Sequence, residues 1–198
     1  MAPIFFHLTI SALTAFICLF LIHYYRDEYP FPKGVKTLLV TLSFTLSFLF
    51  GIFQSNAGSV ATYLEMLIIG PLLFLCATDL KALELPDKVN LFIGLIGLIH
   101  LFVVPFPFTS GILTAVILFI SFFMIALVSG GALGGGDIKY VLAFGLWIPT
   151  YLILPFLLFS TLSASLYGII MLLLNRKNQP LPFGPFLVLS SIYLLFLF

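Results

Sequence analysis

Two carboxylates stand where carboxylates are costly. Asp79, in Ala77-Thr78-Asp79-Leu80, closes one apolar run, and Asp137, in Gly134-Gly135-Gly136-Asp137-Ile138-Lys139, opens another. A charge in or beside hydrocarbon is expensive and is seldom present without a use. Two such acids brought together can divide the work of hydrolysis. One, ionised, takes a proton from water while its neutral neighbour polarises the scissile carbonyl. Five glycines (Gly130, Gly131, Gly134, Gly135 and Gly136) lead up to Asp137. They let backbone unwind beside the acid and offer free amides and carbonyls to an extended substrate. The plainer reading of this stretch is a hinge with a snorkelling Asp137/Lys139 pair at a helix start. A second acid at the same kind of membrane edge favours chemistry.

The remaining polar residues narrow the chemistry. Glu65 lies about 21 Å from Asp79 along one continuous helix, beyond reach of a dyad; a place near the outer interface or a bond to a neighbouring helix suits it better. His7 and His100 fall near the far ends of their runs, where packing or interface roles are expected rather than catalysis. Cys18 and Cys76 stand singly, with no C-x-x-C pair, which excludes a zinc ribbon or dithiol motif. No H-E-x-x-H or serine-nucleophile motif occurs, so neither a metal nor another cofactor is expected. No basic patch interleaved with aromatics occurs, so nucleic acid is not an expected partner. Asp87, in Leu85-Pro86-Asp87-Lys88, is placed to cap the helix that follows it.

The elements that must position these acids are membrane spans. The chain has 198 residues, 62% hydrophobic and 8% charged, with mean hydropathy +1.27. A soluble domain carries about a quarter charged residues. The expected architecture is an all-α, polytopic bundle whose partner is membrane lipid. A span needs about 20 apolar residues. Runs at about 3–22, 37–53, 60–78, 89–104, 110–129, 137–148, 151–174 and 183–198 predict about eight transmembrane helices, the sixth and eighth short. The first run lacks a basic n-region and a clear cleavage site, so it reads as a retained helix. All eight basic residues fall in alternate loops: Arg26, Lys33 and Lys36; Lys81 and Lys88; Lys139; Arg176 and Lys177. The positive-inside rule then makes those loops cytoplasmic and leaves both termini outside. Asp79, Asp87 and Asp137 all come out on the cytoplasmic side.

Three separated segments resemble the type IV prepilin peptidases, membrane aspartic proteases of the Gly-x-Gly-Asp class. Ala77-Thr78-Asp79 with Leu85-Pro86-Asp87 resembles the family's first aspartate segment. Gly134-Gly135-Gly136-Asp137-Ile138-Lys139 resembles its Gly-x-Gly-Asp-x-Lys segment. Leu181-Pro182-Phe183-Gly184-Pro185-Phe186 resembles the Pro-Phe-Gly-Pro stretch that opens the last helix. The likeness covers about 60–198, a peptidase core preceded by two helices within 1–59, all in one integral membrane domain. It implies an endopeptidase of the prokaryotic cytoplasmic membrane that removes the short basic leader of type IV prepilins or pseudopilins at the cytoplasmic face. Asp79 and Asp137 would be its catalytic pair. Asp87, Lys139, Gly134, Gly136, Pro182 and Gly184 would bind substrate or support the site, and Asp87 could meet the basic leader. Many bacterial members also carry a cytoplasmic segment with two C-x-x-C pairs linked to methylation of the new N-terminus. Here the first loop holds no cysteine, so the resemblance is to the short, peptidase-only form and methyl transfer is not expected.

Two other readings compete. A presenilin-like or signal-peptide-peptidase-like protease shares the Gly-x-Gly-Asp logic, but the Pro-Phe-Gly-Pro segment and the Asp79–Pro86–Asp87 spacing fit it less well. A non-enzymatic, ion-coupled transporter would also bury carboxylates between broken helices, yet near the midplane and within inverted repeats. Neither feature is visible.

Overall fold

The structure, a computed structural model, describes residues 2–54, 59–131, 133–174 and 181–197. Eight α-helices make up the described fold: α1 (Ala2–Tyr24), α2 (Lys33–Phe53), α3 (Val60–Ala82), α4 (Asp87–His100), α5 (Phe108–Val128), α6 (Gly135–Gly145), α7 (Ile153–Leu173) and α8 (Gly184–Leu197). No strand occurs among the described residues. The runs read from sequence and these helices correspond one for one. Five, α1, α2, α3, α5 and α7, are long and apolar enough to cross a membrane. The protein is a multi-pass membrane protein. Helices α4, α6 and α8 are shorter, at 14, 11 and 14 residues, so each covers only about 16–21 Å at 1.5 Å per residue.

Helix α3 is the central post. It packs against α1, α2, α4 and α8, while α6 lies between α4 and α5 and touches α8. Its buried positions run all round it, including Met66, Ile68, Ile69, Leu72, Phe74 and Leu75, as expected of a helix enclosed by others. Pro71 sits within α3 without ending it. A proline withholds one helical N–H, and neighbouring hydroxyls commonly re-satisfy backbone near such a break in a membrane. The carbonyl that Pro71 leaves without its helical donor is that of Leu67. One residue earlier, the Met66 carbonyl accepts the hydroxyls of Thr14 from α1 at 3.0 Å and Ser47 from α2 at 3.3 Å, which ties three helices together near the proline.

Far from the aspartates, Glu65 of α3 and His100 of α4 meet, with Oε1 and Nε2 3.0 Å apart. His100 is fully buried and stacks on Trp147 at 4.6 Å. Of the two roles expected for Glu65, the structure shows the bond to a neighbouring helix. It ties α3 to α4 at that end, and Trp147 carries the contact on to the end of α6.

Candidate active site

The aspartates reach one place because two helices stop there and a third begins. Helix α3 ends one turn after Asp79: Leu83 takes a left-handed conformation (φ 59°, ψ 36°) and its N–H closes on the Asp79 carbonyl at 2.9 Å. A non-glycine residue in that region costs about 1 kcal/mol. It swings Glu84-Leu85-Pro86 across the end of the bundle into α4. Helix α5 ends on glycine. Gly130 and Gly131 have φ of +65° and +89°. Their N–H groups reach back to Leu127 and Ala126 at 3.3 and 2.9 Å, the Schellman arrangement that terminates a helix. These two amides are thereby used within the protein. The glycine run read as one open loop is two devices, a C-terminal stop for α5 and a flexible start for α6.

Gly134 precedes α6, and its carbonyl accepts the Asp137 N–H at 3.1 Å. Asp137 is the third residue of α6, in the first turn, where backbone amides and the helix dipole suit an acid. Gly136 lies flat against the turn after α3. A methyl group there would come within 3.0 Å of Leu85 Cβ, so this glycine allows α6 and the α3–α4 connection to approach. Asn90 of α4 reaches the Gly136 carbonyl from the other side at a long 3.4 Å. One turn beyond Asp137, the fully buried Tyr140 pairs its hydroxyl with Ser191 of α8 at 2.5 Å. This fixes α6 against the last helix.

The third resemblance segment closes the site. The Gly184 N–H, at the start of α8, donates to Asp79 Oδ2 at 2.9 Å. A Cβ on Gly184 would stand 2.9 Å from Asp79 Cγ and Oδ2. Only glycine lets this amide approach so closely. Pro182 lies in the non-helical 181–183 stretch leading to it and is half-buried.

Asp79 and Asp137 are both buried, 5% and 8% exposed, and both line one cavity of about 390 Å³ with Tyr29, Leu83–Asp87 and Gly134–Gly136. Asp137 Oδ1 has no hydrogen-bond partner among the described residues. A buried acceptor left open calls for an explanation, and a reacting group is a common one. Among the described residues no cluster of three or more His, Cys, Asp or Glu could hold a metal ion.

The supporting residues divide. Asp87 lines the cavity as the first residue of α4, but its side chain caps nothing; Pro86 occupies the capping position. The capping role expected from sequence is corrected, because Asp87 Oδ2 is taken by Lys139 Nζ at 2.6 Å. That bond joins α4 to α6. With both side chains more than half exposed, such a pair contributes at most about 1 kcal/mol.

Tyr29 and Glu84 were missed by the sequence reading. The connection between α1 and α2 is a strap over this end of α3, with Tyr25, Tyr29 and Phe31 all buried. Tyr25 and Phe31 pack on Phe74 at 5.6 and 6.2 Å. Lys81 Nζ binds the Pro30 carbonyl and sits 5.0 Å over the Phe31 ring. The Tyr29 hydroxyl donates to Glu84 Oε2 at 2.6 Å. Burial, then the Glu84 carboxylate, push the Tyr29 phenol well above its ordinary range, so it stays a donor at any physiological pH. An aromatic cluster inside a polar loop was the available signal.

With this geometry in view, the chain can be set beside known proteins. A family model described as the type IV leader peptidase family matches residues 66–169. The chain belongs to that family. Three curated relatives are named prepilin leader peptidase/N-methyltransferase. The one from Legionella pneumophila is 33% identical over 178 residues, covering 85% of this chain and 58% of the relative. The one from Bacillus subtilis is 29% identical, covering 68% and 55%. The one from Xanthomonas campestris is 30% identical, covering 57% and 42%. The chain thus spans about half the length of these relatives. No solved structure matches it. The family match takes in Asp79, Asp87, Asp137 and Lys139 and stops before Gly184.

Proposed function

We propose that this protein is a membrane-embedded aspartic endopeptidase that removes the basic leader of a type IV prepilin-like precursor at the cytoplasmic membrane face. The observation that carries the reading is the shared cavity of Asp79 and Asp137, within the family-matched stretch and at one end of the bundle. Leader-peptidase names among the relatives supply the substrate class.

Hydrolysis at such a pair runs as follows. The substrate's scissile peptide lies across the cavity with a water between it and the aspartates. The ionised aspartate takes a proton from the water as its oxygen attacks the carbonyl carbon. The protonated aspartate gives its proton to the carbonyl oxygen. Proton return to the amide nitrogen breaks the C–N bond, freeing the leader's carboxylate and a new amine. The Gly184 N–H holds Asp79 in place, and Gly134–Gly136 carry Asp137 to it on a turn free of side chains. No metal or organic cofactor takes part.

The basic loops near the site support a cytoplasmic-facing active site under the positive-inside rule, in a protein of the prokaryotic inner membrane. The relatives' second named activity, N-methyl transfer, is not proposed, because the loop between α1 and α2 holds no cysteine and Cys18 and Cys76 form no C-x-x-C pair. The test is purified protein in detergent mixed with a purified prepilin and S-adenosylmethionine, with the product read by mass spectrometry. Leader removal without an added methyl group supports the reading. An uncleaved precursor rejects the peptidase, and a methylated product rejects the peptidase-only assignment.

A further inference from the structure

Two acids beside the dyad line the cavity, and their charges are differently committed. Asp87 is paired with Lys139. Glu84 accepts only the neutral Tyr29 hydroxyl, and among the described residues no lysine or arginine nitrogen lies within 4.0 Å of its carboxylate. The lysines nearest in sequence are occupied elsewhere. Lys81 holds the Pro30 carbonyl over the Phe31 ring, and Lys88 donates to the Tyr24 hydroxyl at 2.5 Å. Glu84 is nevertheless exposed, and the left-handed turn at Leu83 delivers it to the cavity only five residues after Asp79. Its position is not loose, because Tyr29 is 6% exposed and is packed against Tyr25 at 5.9 Å. An uncompensated, oriented carboxylate at the mouth of a cavity is a cation receptor. A protein wall of low dielectric on one side strengthens its field.

We propose that Glu84, aimed by the Tyr29 hydroxyl, binds a lysine or arginine of the substrate's leader at the cavity mouth and sets the preference for a basic leader. The inference rests on the peptidase reading. Tyr29 is a positioning residue, and Glu84 a specificity residue that takes no part in bond breaking. The contact forms equally in the bound substrate and in the transition state, so its loss raises KM and spares kcat.

The experiment compares kcat/KM for a purified prepilin with its basic leader against the same prepilin with the leader's Lys and Arg changed to Gln, and again changed to Glu. The enzymes are the wild type, Glu84→Gln, Glu84→Lys and Tyr29→Phe in one detergent. The wild type should favour the basic leader over the Gln leader by about tenfold at low salt, shrinking as ionic strength rises. Glu84→Gln should bring the ratio close to one through KM while cleaving the Gln leader as the wild type does, which also shows it to be folded. Glu84→Lys should invert the order toward the Glu leader, and Tyr29→Phe should give an intermediate ratio. A Glu84→Gln enzyme that keeps the wild-type ratio, or that loses the same factor on every leader, overturns the inference and leaves the peptidase reading standing. So does a wild-type ratio near one, whatever the variants' fate. A wild type that cleaves none of the three overturns the peptidase reading, and the inference with it.

Discussion

At the scale of single residues, the site depends on groups that approach because nothing stands between them. Gly184 shows this best. Its amide satisfies Asp79, and the missing Cβ is what allows 2.9 Å between nitrogen and carboxylate. Gly184→Ala should push the Asp79 carboxylate aside by a good part of an ångström. Misplacement on that scale costs about a hundredfold in rate. Cleavage assays should therefore show kcat falling by about that factor, with helix content and membrane insertion unchanged; an active Gly184→Ala enzyme contradicts the role given to this amide. Asp79, Asp137, Asp87 and Lys139 were legible in the sequence, because charged residues at the ends of apolar runs are rare and conspicuous. Glu84 and Tyr29 were not. They meet across 55 residues of chain, and no spacing rule links a loop tyrosine to a turn glutamate.

At the scale of elements, run length and breakers carried most of the fold. Apolar runs bounded by charges or prolines can do little in a membrane but form a helix, and all eight did, the short ones included. What the pattern could not reveal was how each helix ends. Five glycines before Asp137 read as one flexible loop, whereas Gly130 and Gly131 close α5 and Gly134–Gly136 start α6. The cap makes a clean prediction. A Cβ on Gly130 meets nothing within 4 Å, so only its φ of +65° resists substitution. Gly130→Ala should lower stability by about 1 kcal/mol through backbone strain alone. Thermal unfolding in detergent measures it, and an unchanged or raised midpoint would show that the turn does not need the left-handed residue. Likewise, Asp87 looked like a helix cap because it follows Pro86. Its side chain turned instead to Lys139, a partner that folding brings in from α6.

At the scale of the whole molecule, the charge pattern and the cavity point to the same end of the bundle. Cysteine labelling from each side of the membrane should find Arg26, Lys81 and Lys139 positions on the cytoplasmic face and the Asn56 position on the other. Asn56 and Arg176, which completes the alternation, lie outside the described residues, so the test there rests on sequence. Lys81 and Asn56 on one face would break the eight-span arrangement. The paired acids remain the centre of the account. Asp79→Asn and Asp137→Asn keep size and shape while removing the ability to exchange a proton. Single-turnover cleavage of a purified prepilin, with wild type and both variants reconstituted at equal amounts, tests the pair most directly. Each variant should insert normally and lose at least about a thousandfold in rate. Near-wild-type cleavage by either one would contradict the shared-proton dyad.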